Sequence, residues 1–130
     1  MLIIDTDDKF INRLKEFLYS KNISNVATAL TVKEGLKIAG NNKPDIVLVD
    51  MTTSDVDGFD AIQAISRIDN SIKILITTDC YTDEYCDMAF ESGADAFIDK
   101  NNFKEDILTI INTAPKNLLF LFEKYIISKN

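Results

Sequence analysis

The sequence predicts an α/β fold, a doubly wound sheet of five parallel strands with helices on both faces. Three observations carry this prediction. Short apolar runs alternate with amphipathic stretches along the chain. Three of those runs are almost continuously apolar, as suits strands buried on both faces of a parallel sheet. The 130 residues are enough for one core and hardly for two.

The first strand is read at residues 2–5, where Leu2, Ile3 and Ile4 run into Asp5. Asp7 and Asp8 can cap a first helix whose Phe10, Leu14, Phe17 and Leu18 recur at helical spacing. Residues 26–29 make the second strand. Thr31 followed by Glu34 is a capping-box pattern ahead of Val32, Leu36 and Ala39. The third strand, 46–50, ends on Asp50. Phe59, Ile62, Ile65 and Ile68 then form the stripe of a third helix. After the fourth strand, 72–78, Thr82 opens a helix bearing Tyr85, Met88 and Ala89, and Gly93 closes it. The fifth strand is placed at 95–99, and Asn102 opens a helix carrying Ile107, Leu108, Ile110 and Ile111. Right-handed crossovers distribute these helices over both faces. Residues 1–114 are expected to form this domain.

Residues 115–130 read as a helical extension or linker. Pro115 suits a first helical turn, and Leu118, Leu119, Leu121, Phe122, Tyr125 and Ile126 make a broad apolar band over residues 116–127. Such a band would pack back on the domain, pair with a second copy in a homodimer, or lead into an effector.

Composition narrows the function classes. Acidic residues outnumber basic ones 21 to 14, a net charge of −7, which argues against direct nucleic-acid binding by this domain. The chain has no histidine, which removes histidine-based triads and a phosphohistidine of its own. Its two cysteines, Cys80 and Cys86, form no CxxC pair, so a zinc site is not expected and free thiols are. The opening residues turn acidic at Asp5, unlike a signal peptide, and no apolar run reaches membrane-spanning length. A cytoplasmic protein without membrane contact is the expectation.

In doubly wound folds the functional site lies beyond the carboxyl ends of the strands. Those ends carry Asp5-Thr6-Asp7-Asp8, Asp50, Thr77-Thr78-Asp79 and Asp99-Lys100. Clustered carboxylates call for a hard cation, and Mg2+ prefers oxygen ligands. A carboxylate can also accept a phosphoryl group as nucleophile, with a lysine, a hydroxyl and a metal balancing the transferred charge.

Over roughly residues 1–114 the sequence resembles the receiver domains of two-component response regulators. Ile46-Val47-Leu48-Val49-Asp50 followed by Asp57-Gly58-Phe59 is similar to the family's phosphoacceptor strand and loop. Gly93-Ala94-Asp95-Ala96-Phe97-Ile98-Asp99-Lys100 is similar to its Gly-Ala-Asp run and terminal lysine, and Thr78 stands fifteen residues before Gly93, where the family has its switch hydroxyl. The resemblance implies a flavodoxin-like receiver fold. It implies Asp50 as phosphoacceptor and metal ligand, with Asp5 and the backbone carbonyl of Thr52 as further ligands of Mg2+. Lys100 and Thr78 would contact the phosphoryl oxygens, and Phe97 would be the aromatic that changes rotamer on activation.

Four positions depart from the family pattern. Thr6 replaces the second acid of the pair, and Asp79 replaces the small residue after the switch hydroxyl. Ser54 and Asn101 replace prolines. Using Asp7-Asp8 as the acidic pair would turn Asn12 and Glu16 toward the core, although Asp7 remains a candidate ligand through a local bend.

The expected function is that of a signalling receiver rather than a turnover enzyme. It would take a phosphoryl group onto Asp50 from a histidine kinase or phosphotransfer protein and switch a surface read by a downstream effector. The alternative is a pseudo-receiver, a phosphorylation-independent interaction module, for which Thr6 and Asp79 speak. A remote alternative is a haloacid-dehalogenase-like phosphatase, suggested by Asp5-Thr6-Asp7, Thr77 or Thr78, and Lys100. Lys9 and the short chain speak against it.

Overall fold

The structure is a computed structural model that describes residues 1–52, 55–78 and 82–112. The extension after residue 114, and with it the proposed tail helix, lies outside the described residues, as do Ser54, Asp79 and Cys80.

Five strands form one parallel sheet: β1 (Leu2–Ile4), β2 (Ala27–Ala29), β3 (Ile46–Asp50), β4 (Lys73–Thr77) and β5 (Ala96–Phe97). Their spatial order is β2-β1-β3-β4-β5, so the winding reverses between β1 and β3. The helices α1 (Asp8–Ser20), α2 (Val32–Asn42), α3 (Gly58–Ile68), α4 (Asp83–Ser92) and α5 (Phe103–Ile111) alternate with the strands. This is the predicted doubly wound fold.

The helix starts follow their caps. The Asp7 carboxylate accepts from the Phe10 N–H at 3.2 Å, and α1 then buries Phe10, Ile11, Leu14 and Leu18. This keeps Asn12 and Glu16 in solvent, as the Asp5 register requires. At α2, Thr31 Oγ1 accepts from Glu34 N at 3.1 Å, while Glu34 reaches back to Leu30 N at 3.3 Å, one residue earlier than a standard capping box. Asp57 caps α3 through Phe59 N, and Thr82 caps α4 through Tyr85 N.

Two glycines are fixed by geometry. Gly93 ends α4 at φ +119°, a conformation costly for any side chain. Gly35 lets α2 approach β1, since a Cβ there would collide with Ile4.

Strand ends differ from expectation by a residue at β1, β2 and the start of β4, and three further differences bear on the site or the core. β4 stops at Thr77, one residue before Thr78. β5 shortens to Ala96–Phe97 because Asp99 instead caps a 3-10 turn, Lys100–Asn102, by accepting from Asn101 N at 2.9 Å. On α4, Met88 is 52% exposed, and Cys86 takes the inward position with Ala89. Along one turn the inward stripe passes through Cys86 and Ala89, so Met88 falls outside it.

The sheet interior is apolar up to its carboxyl edge, where Asp50 and Thr77 are buried. Ile3, Ile4, Val47, Leu48, Val49, Leu75 and Ile76 are buried between the two helical layers. Among the described residues, no helix is long and apolar enough to cross a membrane.

Candidate functional site at the carboxyl edge of the sheet

Three charged side chains converge where the winding reverses. β3 ends on Asp50, and the chain leaving β1 carries Asp5 at the same level. Both carboxylates are buried, with residue exposures of 2% for Asp5 and 6% for Asp50. Lys100 reaches both from the turn after β5: its Nζ lies 2.9 Å from Asp5 Oδ2 and 3.3 Å from Asp50 Oδ2. The ammonium also sits 4.9 Å from the centre of the Phe10 ring, a cation–π contact that holds the lysine over α1.

The turn that presents Lys100 is itself anchored. Asp99 caps it, and Asp99 N donates at 3.2 Å to the carboxylate of Asp106, a buried acid of α5. The second oxygens of the acidic pair are also occupied. Asp5 Oδ1 accepts from Asp7 N at 2.9 Å, while Asp50 Oδ1 accepts from the Thr52 N–H at 3.1 Å and its hydroxyl at 2.9 Å.

These surroundings shift the pKa values of the two acids in opposite directions. For Asp5, burial dominates and raises its pKa, against the Asp7 N–H and Lys100. Burial acts on Asp50 in the same sense, but the two hydrogen bonds from Thr52 and the charge of Lys100 together hold its pKa below the ordinary carboxylate value. Burial would lower the pKa of Lys100, and the two acids overcome this and raise it. Of the two acids, Asp50 is the one whose ionised form its surroundings favour, the form a nucleophilic carboxylate needs.

The other predicted residues fall as follows. Thr78 is half-buried immediately after β4. Phe97 is fully buried on β5, paired with Ile76. Thr6 and Asp7 are exposed, and the Asp7 carboxylate is engaged in capping α1 rather than turned to the acidic pair. The Thr52 side chain joins the site beside its backbone, a role missed at the sequence level. Its signal is the Asp-x-Thr spacing, in which an acid accepts from a residue two positions on. Thr77 is also brought in, since it pairs with Asp50 across β3 and β4. Among the described residues, no group of three or more acidic, histidine or cysteine side chains gathers as a metal site. The donor set is two carboxylates with the nearby Thr52 backbone.

The model of the response regulator receiver domain family matches residues 1–112. The transcriptional regulatory protein AfsQ1 of Streptomyces coelicolor is 30% identical over 99 residues, which cover 76% of this chain and 44% of AfsQ1. A two-component response regulator from Clostridium difficile superposes with a TM-score of 0.78 at 28% identity, covering 91% of this chain and 93% of that one. A response regulator from Burkholderia pseudomallei shares the fold with a TM-score of 0.81 at 24% identity, covering 99% of this chain and 74% of that one. The chain spans about half the length of the curated relatives it matches. With the fold, the order of its elements and the family match over residues 1–112 in agreement, this chain belongs to the response regulator receiver domains of two-component systems.

Proposed function

We propose that the domain accepts a phosphoryl group on Asp50 from a phosphohistidine of a kinase or phosphotransfer protein. The observation that carries this reading is the buried Asp50 carboxylate, kept ionised at a strand end with Lys100 against it. One carboxylate oxygen attacks phosphorus, the P–N bond to the donor histidine breaks, and the imidazole leaves with that electron pair. Lys100 can then shift from the two acids to the new phosphoryl oxygens without leaving the site, because its Nζ already bridges them. Thr78, half-buried after β4, is the proposed switch hydroxyl, and the buried Phe97 is its proposed aromatic partner. The change would be read by an effector, as a population shift between two packings.

The donor set fits Mg2+. Two buried carboxylates already share one positive charge, and with the Thr52 carbonyl they offer the all-oxygen environment this ion accepts, the remaining positions being water. Asp5, Asp50 and the Thr52 carbonyl would hold it, and it would supply charge neutralisation for the transferred phosphoryl group. The Burkholderia pseudomallei regulator carries a phosphorylated aspartic acid and a calcium ion.

Thr6 keeps the alternative of a phosphorylation-independent interaction module in play, since it is exposed and brings no charge to the site. Titration of Mg2+ against the wild type and Thr6→Asp, followed by NMR shifts around Asp50, separates the two readings. The acceptor reading predicts saturable shifts in the wild type and tighter binding in the variant. No response from either protein would contradict it and leave the interaction module. Family membership over residues 1–112 favours the receiver over the remote phosphatase alternative.

A further inference from the structure

Thr77 stands on the last residue of β4 and is 2% exposed, yet among the described residues its buried Oγ1 has no hydrogen-bond partner. Buried polar side chains in folded proteins are nearly always paired, so an orphan calls for an explanation. A valine would fill the same space in a strand without stranding a hydroxyl.

Its position supplies the explanation. Asp50 and Thr77 are direct partners across β3 and β4, and Leu48 and Leu75 are the pair below them. Side chains of directly paired residues project to the same face of a sheet. Ile3 pairs with Leu48, so Asp5, two residues further on, continues on that face too. The orphan hydroxyl thus shares a face with the two acids that Lys100 bridges. Neighbouring strands lie about 4.8 Å apart, and the bare Asp50 carboxylate makes no bond to Thr77 across that gap. A phosphoryl group on Asp50 would add three acceptor oxygens and extend the reach of the side chain toward it.

We propose that Thr77 is a further positioning residue of the acceptor site, its hydroxyl donating to a phosphoryl oxygen carried on Asp50. The interaction is made only in the phosphorylated state, which leaves the hydroxyl orphaned in the resting domain. It would act beside Thr78, the next residue along the chain and the first after β4. Thr77 moves no proton. The group transfer remains at Asp50, where an oxygen bonds to phosphorus and the bond to the leaving group breaks.

The proposal rests on the acceptor reading of Asp50 and is tested on the full chain with acetyl phosphate and Mg2+. In that reaction the P–O bond to the acetyl oxygen breaks and acetate leaves. Labelling rate and lifetime of the label are followed by intact mass for wild type, Thr77→Val, Thr77→Ser and Thr77→Ala, with thermal midpoints of the unlabelled proteins. Thr77→Val should melt no lower than wild type while its label forms more slowly or decays faster, by about tenfold, or about 1.4 kcal/mol. Thr77→Ser should keep wild-type kinetics, and Thr77→Ala should not. Serine and alanine differ only in the hydroxyl, so this pair decides the matter even if valine packs badly. Wild-type kinetics in both Thr77→Val and Thr77→Ala would overturn the proposal and leave the acceptor reading standing. A wild type that takes no label at all would overturn both.

Discussion

Lys100 is the residue on which the charge balance of the site turns. It holds two buried carboxylates that would otherwise repel each other at the end of the sheet. Removing one partner of a fully buried ion pair costs about 3–5 kcal/mol. Lys100 is 31% exposed, so Lys100→Met is expected to destabilise the domain by less, about 2 kcal/mol, measured by urea denaturation. The pH dependence has a definite sign. The pKa of Lys100 is raised in the folded state, so its contribution is complete below the ordinary lysine value and lost as pH rises through the folded one. That of Asp50 is lowered, so its contribution is complete above the ordinary carboxylate value and lost as pH falls below about 4. Asp5, raised by burial, works against folding at neutral pH. Lys100→Met should therefore lose the alkaline limb of the wild-type profile above about pH 10. Asp5, Asp50 and Lys100 were legible in the sequence because each ends a recognisable run. The part of Thr52, by its hydroxyl, and the burial of Thr77 were not, because both depend on register across strands and on a turn that the apolar pattern does not encode.

At the scale of elements, the loop after β3 is tied to the start of α2. Asp55 accepts from Val32 N at 3.0 Å and Lys33 N at 3.1 Å, across more than twenty residues of sequence. Those N–H groups have no partner inside their own helix, and the Val32 N–H is the main cause of the lowered pKa of Asp55. Thr31 and Asp55 thus share the capping of α2, with Asp57 capping α3 two residues later. Asp55→Ala should speed amide hydrogen exchange at Val32 and Lys33 while leaving α4 and α5 unaffected. Unchanged exchange at both amides would show that the loop does not hold the helix. Most elements were readable from the sequence because their caps are local: Asp7, Thr31, Thr82 and Gly93 each lie within a turn of the helix they bound. The Asp55 cap was not readable, since it comes from another segment. β5 was overestimated because Asp99, apolar-run neighbour though it is, turns the chain out of the sheet.

For the molecule as a whole, the order β2-β1-β3-β4-β5 places the reversal of winding beside Asp5 and Asp50. A doubly wound sheet leaves a crevice there, and apolar strands buried on both faces lie beneath it. The fold class was legible because parallel strands buried on two sides leave runs such as Ile46-Val47-Leu48-Val49, which few other structures require. The strand order was not legible from composition or periodicity and came only with the resemblance to a family. Of the acids behind the net charge of −7, the described residues place two, both buried, at the strand ends with a lysine between them, so the charge does not by itself point to the site. The central claim is that Asp50 accepts a phosphoryl group. Its most direct test is intact mass after incubation with acetyl phosphate and Mg2+, for wild type and Asp50→Asn. The account predicts one added phosphoryl group on the wild type and none on the variant; an unlabelled wild type, or a label that persists in Asp50→Asn, would contradict it.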